Sequence, residues 1–168
     1  MAGIDRDILR ARLRDLHVEV PQTIPEATAA ELRLTVDAAQ ALTLLGRLRD
    51  DPETSMRRLV DLTAIDWSGQ AGQEARFEIV YRLHSPELKQ RIRIHLPVAA
   101  TDLTIDSAVA VWPAAGWLER EVFDLFGIRF RGHPDLRRIL LDADFEGAPL
   151  RKDYPRQPAL PLPKQAER

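Results

Sequence analysis

The sequence predicts an α+β fold: a small, mostly antiparallel sheet with helices on one face, followed by an irregular, extended C-terminal arm. Three observations carry that reading. Arg76 to His84 and Gln90 to Pro97 each alternate apolar and polar residues, and a loop containing Ser85-Pro86-Glu87 joins them, as in an antiparallel hairpin. Two other segments, one after Asp37 and one from Trp117 to Phe126, repeat apolar residues at helical spacing. After Gly127, a residue suited to closing a helix, neither period continues. Residues 1–127 are therefore read as the α+β domain, 128–155 as a docking arm and 156–168 as a proline-rich tail.

Taken in order, Ile4, Ile8, Leu9, Leu13 and Leu16 recur near helical period behind Asp5 or Asp7, which predicts a helix over 5–16. His17 to Val20 is a short strand candidate ended by Pro21, and residues 21–30 form a polar loop. Glu31 to Val36 alternates with period two and predicts a half-buried strand. Asp37 can cap a helix lined by Ala38, Ala41, Leu42, Leu45 and Leu48, which Asp50-Asp51-Pro52 ends. Leu59 to Asp66 fits either period, and the branched Thr63 and Ile65 favour a strand. Ser107 to Val111 is read as a short turn of helix leading to Pro113.

The helix from Trp117 is the element on which the second half turns. Leu118, Val122, Leu125 and Phe126 fall on one stripe, which should face a core, while Glu121 and Asp124 point elsewhere. Arg120 and Asp124, one turn apart, are spaced for a modest intrahelical ion pair. All ten aromatic residues lie from Trp67 onward, so the large contact surfaces belong to the second half. Trp112, Trp117, Phe123 and Phe126 are read as core, some of them as interface anchors.

Composition excludes several classes. A net charge of −2 and a pI near 6.1 provide no field for gripping nucleic acid. Residues 129–168 nevertheless carry nine Lys and Arg against six Asp and Glu, so the arm is basic and suits a partly acidic protein surface. Without cysteine, the chain forms no disulfide and holds no thiolate-ligated iron–sulfur cluster. The longest uncharged run, Ser107 to Leu118, is far shorter than the roughly 20 residues that span a bilayer. The first residues are charged and lack an apolar signal region, so the expectation is a soluble chain that meets a membrane only through partners.

Three motifs stand in series: Glu119-Arg120-Glu121-x-x-Asp124 with Phe126-Gly127-Ile128; Gly132-His133-Pro134-Asp135-Leu136-Arg137-Arg138-Ile139-Leu140; and Gly147-x-Pro149-Leu150-Arg151-Lys152-Asp153-Tyr154-Pro155. Together they resemble the signature of the C subunit of NADH-quinone oxidoreductase, a peripheral-arm component of respiratory complex I. The match covers Ser107 to Pro155, with a looser continuation through Asp61 to Asp66 and Phe77 to Leu83. It departs at Ala148, where the family usually has histidine.

The resemblance implies a non-redox component that docks on the D subunit, which forms the quinone site, beside cluster-bearing neighbours. FMN and iron–sulfur clusters would belong to partner subunits, and NADH and quinone to the complex as a whole. The implied location is the cytoplasmic face of the inner membrane, as a peripheral component. On this reading Glu119, Arg120, Glu121, Asp124, His133, Asp135, Arg137, Arg138, Arg151, Lys152 and Asp153 fix the arm onto its neighbour. Homologous modules of a membrane-bound hydrogenase or a ferredoxin-linked quinone reductase, or a stand-alone adaptor, are the alternatives.

The residues alone leave two readings of the acids. Glu119, Glu121 and Asp124 could form a proton-transferring group with raised pKa values, or could make ion pairs and cap loops. His133 has no second histidine at metal-ligand spacing, and is read as bonding a backbone carbonyl or a carboxylate to order the turn at Pro134. Arg137, Arg138, Arg151 and Lys152 sit in no glycine-rich phosphate loop, and the glycines never fall at GxGxxG spacing. Their forks suit bidentate carboxylate pairing instead. No GxSxG, HExxH or Cys/His nucleophile pair occurs, so the chain carries no complete active site.

Overall fold

Four strands form the central sheet, and the sequence pattern marks each of them. In the computed structural model, which describes residues 32–72 and 75–155, β1 (Leu32–Thr35), β2 (Arg58–Asp66), β3 (Phe77–Ser85) and β4 (Gln90–Val98) are ordered β1-β4-β3-β2. The helix expected over 5–16, the strand and loop over 17–30 and the tail over 156–168 lie outside the described residues.

β3 and β4 pair antiparallel from Phe77↔Val98 to Ser85↔Gln90, which is the expected hairpin. β2 pairs antiparallel with β3, with a register shift between Leu59 and Asp61 that leaves Val60 48% exposed. Such a bulge twists an edge strand and discourages pairing with another chain. β1 runs parallel to β4, from Leu32↔Ile92 to Thr35↔His95, so the sheet is mixed, with its other pairings antiparallel. Alternation fixes which face a strand buries but not its direction, which is why this pairing was not legible.

α1 (Ala38–Asp50) begins at Asp37, whose Oδ1 accepts the Ala39 N–H at 2.9 Å. It buries Ala41, Leu44, Leu45 and Leu48. α2 (Ala115–Phe126) starts before Trp117 and closes at Gly127, where φ is 71° and the N–H donates to the Phe123 carbonyl. An added Cβ at Gly127 would also come within 2.7 Å of the Arg151 guanidinium. Both helices cover one face of the sheet, where Leu62, Ile79, Tyr81, Leu83, Ile92 and Ile94 merge with Leu45, Leu48, Val122 and Phe126 in one core. Full burial of each large apolar side chain there stabilises by about 1.5–3 kcal/mol relative to exposure.

Two further strands escape the sequence pattern. β5 (Thr104–Asp106) and β6 (Arg129–Arg131) form a separate parallel pair, Thr104↔Arg129 to Asp106↔Arg131. Three residues are too few for a period to register. Between β5 and α2 the expected turn is present, with Val111 and Trp112 N–H both donating to the Ala108 carbonyl.

Candidate functional site: the arm clasped on the second helix

β6 opens the arm, and from there residues 132–155 fold back over α2 and the end of β2. Their anchor is Asp124. Its side chain is fully buried, and its Oδ2 accepts three successive backbone N–H groups, from Ile139, Leu140 and Leu141, at 2.9, 2.7 and 3.0 Å. Oδ1 accepts from Arg138 Nη1 at 2.7 Å. Burial by itself pushes this carboxyl up, but the Arg138 guanidinium and the three N–H groups outweigh it and hold the pKa down to about 2. The expected Arg120–Asp124 ion pair is therefore corrected. Asp124 is turned onto the arm, and Arg120 instead donates to the carbonyls of Arg137 and Arg138 at 3.0 and 2.9 Å.

Arg138 extends the clasp. Besides Asp124 it reaches the Phe145 and Gly147 carbonyls at 2.7 and 3.1 Å, so one guanidinium joins the helix to two turns of the arm. Gly147 has φ 96°, and a Cβ there would lie 2.5 Å from the Tyr154 ring. Tyr154 packs on Phe145 with centroids 6.2 Å apart and donates its hydroxyl to the Glu146 carbonyl.

A second clasp holds the arm's end. Arg151 Nε donates to the Phe126 carbonyl at 2.6 Å, and its guanidinium lies over the Phe77 ring at 5.4 Å. The Lys152 N–H donates to Asp66 Oδ2 at 2.9 Å, while Lys152 Nζ reaches the Ser68 carbonyl. Arg76 bridges Asp66 and Asp153, at 3.3 and 2.6 Å. Burial raises the Asp66 carboxyl, but Arg76 and the N–H groups of Lys152 and Ser68 bring it well below the usual carboxylate range. Asp66 and Arg76 escaped the sequence reading as functional residues. Each reads locally as a strand terminus, and only the pairing to a segment far along the chain gives them their role.

Glu119 makes the third attachment. It is fully buried, accepting from the Ser107 hydroxyl at 2.6 Å and the Ala108 N–H at 2.7 Å. Desolvation raises its pKa against the opposing pull of those two bonds. His133 ties the start of the arm to α2: its Nε2 lies 2.9 Å from the Gly116 carbonyl, and its Nδ1 accepts the Asp135 N–H at 3.0 Å. With Nδ1 accepting, the proton belongs on Nε2, which makes the Gly116 contact a donated bond.

The structure thus divides the sequence-selected residues. Glu119, Asp124, Arg138 and Arg151 turn inward, while Glu121 is exposed and Asp135 and Arg137 pair with each other at the surface at 2.9 Å. The expectation that Glu121 and Asp124 point away from the core holds for Glu121 and not for Asp124. Of the apolar stripe, Val122 and Phe126 are buried, and Leu118 and Leu125 pack partly against the core. Trp112 is core, but Trp117 is 64% exposed with the Arg120 guanidinium 5.1 Å from its ring centre. Leu140 and Leu150 are 61% and 52% exposed on the arm.

Residues 34–159 match the family model described as the 30 kDa subunit of respiratory-chain NADH dehydrogenase. The chain belongs to that family. The C subunit of NADH-quinone oxidoreductase from Trichlorobacter lovleyi is 52% identical over 124 residues, covering 74% of this chain and 74% of the relative. Its counterpart of the same name from Rhodopseudomonas palustris strain TIE-1 is 48% identical over 125 residues, covering 74% of this chain and 59% of the relative. The chain thus spans about three-fifths of the length of that relative. Two solved structures share the fold of this 30 kDa-family protein at 24% identity. A trypsin-resistant fragment of Nqo5 has a TM-score of 0.65, covering 78% of this chain and 98% of that one. A chain of the membrane-bound sulfane sulfur reductase, an archaeal respiratory membrane complex, has a TM-score of 0.70, covering 89% and 85%. The three clasps of the 30 kDa-family protein all lie within the matched residues. Ala148, where the resemblance expects histidine, is buried against Gly127.

Proposed function

We propose that the chain is a non-redox subunit in the peripheral arm of a proton-translocating NADH-quinone oxidoreductase. It docks on the quinone-site subunit and supports electron transfer from NADH to quinone without binding either. FMN and the iron–sulfur clusters belong to its partners, and the assembly sits on the cytoplasmic face of the inner membrane. No helix among the described residues is long and apolar enough to cross a membrane.

The observation that carries this reading is how the family motifs are used. Asp124, Glu119, Arg138 and Arg151 have their charges and lone pairs engaged by the chain's own backbone, which makes them a frame rather than a reaction centre. The frame fixes an arm whose outer surface carries Leu140 and Leu150, with Arg137 and Lys152 also exposed, against a helix that exposes Trp117. Large, rigid aromatic and apolar anchors next to basic groups are what a protein interface of partly acidic character requires. The interface role of Glu121, Asp135, Arg137 and Lys152 belongs to this proposal.

The test is a mild-detergent pull-down of the tagged chain from native membranes, with mass spectrometry and an NADH-to-quinone assay on the eluate. Recovery of flavin- and cluster-bearing subunits with that activity is the expected result. The likeness to the archaeal sulfane sulfur reductase chain favours a second reading, a homologous module in another respiratory membrane complex. Redox subunits without NADH oxidation would support that reading, and a lone protein would support the stand-alone adaptor.

A further inference from the structure

On the sheet face turned away from the helices, centred on Glu78 and Pro97, lies a recess of about 240 Å³. Trp67 and Pro97 give it apolar surface, Thr35, Gly72, Ala75 and the start of β3 at Phe77 border it, and the Arg33 and Glu78 side chains bring one charge of each sign to its lining. We propose that this recess receives the cationic end of an arginine or lysine side chain from a neighbouring protein subunit.

Size narrows the ligand first. Sites for drug-sized ligands start at roughly 300 Å³, so a nicotinamide or flavin nucleotide is too large, whereas one amino-acid side chain fits. Charge then sets the sign. Glu78 is an acid with a side chain only 8% exposed, and its Oε1 takes one contact from Arg33 Nη2 at 3.2 Å. Its Oε2 accepts the Trp67 indole N–H, also at 3.2 Å. Both bonds are longer than the roughly 2.7–2.9 Å of strong charge-assisted pairs, and a carboxylate has about four lone-pair sites. Arg33 is itself 48% exposed, which makes it a weak neutraliser.

His95 Nδ1 lies 3.2 Å from Oε2, yet neither ring nitrogen has a hydrogen-bond partner among the described residues. Burial raises the Glu78 carboxyl, but His95, Arg33 and Trp67 together bring it below its ordinary value, so it is ionised at neutral pH. A guanidinium entering here stacks on the Trp67 face and forks onto the buried Glu78, whereas an anion has only the half-exposed Arg33 to pair with and meets the buried carboxylate beside it. The chemistry of the pocket stands on this geometry alone; the neighbouring subunit as the source of the cation rests on the proposed function.

The two parts are tested separately. In the full chain, the Trp67 indole N–H resonance is followed by NMR during titration with butylguanidinium chloride or with sodium butyrate at equal ionic strength. A saturable shift with butylguanidinium and none with butyrate is expected, and Glu78→Gln should weaken it about tenfold. Should that variant lose its fold, Ala75→Trp fills the recess without touching the carboxylate and must abolish the shift. No saturable shift, an equal response to butyrate, or indifference to the folded variants overturns the site.

For the source, the cysteine-free chain accepts Ala75→Cys as its one thiol, which is labelled with benzophenone maleimide and photolysed in native membranes. A cross-link to a co-purifying subunit next to an arginine or lysine is expected. Cross-links to that subunit away from any basic residue, or only within this chain in an intact complex, overturn the assignment. Failure to co-purify any subunit instead counts against the proposed function.

Discussion

Replacing Asp124 by asparagine tests the clasp most directly. The carboxylate uses one oxygen for three backbone N–H groups and the other for Arg138. An asparagine has one acceptor oxygen and one NH₂. It must present the NH₂ either to the Arg138 guanidinium, donor against donor, or to the three N–H groups. Either choice strands a buried polar group, and breaking one member of such a desolvated set costs about 3–5 kcal/mol. The same bonds seen through the pKa agree: a fall from 3.8 to about 2 corresponds to about 2 kcal/mol of preference for the ionised form.

The variant should therefore lose several kcal/mol in urea unfolding followed by circular dichroism, and about 6–20 °C in melting temperature. Amide exchange at Ile139, Leu140 and Leu141 should accelerate together. Because the folded-state pKa is depressed, the wild-type contribution is fully present above 3.8 and is lost as pH falls through about 2, and the variant lacks that dependence. A loss below about 0.5 kcal/mol, the ordinary range for an exposed substitution such as Glu121→Gln, would refute the reasoning. So would unchanged exchange at the three amides.

Glu119 should show the opposite pH dependence. Its pKa is raised by burial, so its contribution is fully present below its ordinary 4.5 and declines as pH rises through the folded-state value. Glu119→Gln, which can keep the Ser107 and Ala108 bonds, should remove that decline, as urea titrations from pH 4 to 8 would detect. Gly147→Ala places a Cβ at φ 96° against Tyr154 and should cost about 1–3 kcal/mol in thermal unfolding. Trp117→Ala should leave the chain's own stability within about 0.5 kcal/mol while lowering the yield of assembled complex on native gels, as an exposed anchor would. Equal loss of both would make Trp117 structural.

The helix cap at Asp37, the hairpin from Phe77 to Val98 and the covering helices were legible because each follows from a local rule: a side chain reaching two residues on, or a period of two or 3.6. The motif series from Glu119 to Pro155 was legible as a family pattern, and with it the clasp residues other than Asp66 and Arg76. Their roles were not. A sequence shows that Asp124 and Arg138 are charged, but whether those charges meet a neighbour or each other depends on where the arm folds.

Tertiary structure decided that. It laid the backbone of residues 139–141 across one carboxylate, brought Asp66 and Arg76 to Asp153, and paired β1 parallel to β4. It also left Trp117 outside, although as a large aromatic it had been read with Trp112, Phe123 and Phe126 as core or interface anchor. The physical reason is common to all four. Burial and hydrogen bonding between segments far apart in the chain are set by chain path rather than local composition, so the sequence by itself determined the longer elements and their apolar faces, and only the fold determined the short β5–β6 pair and which charges were already satisfied.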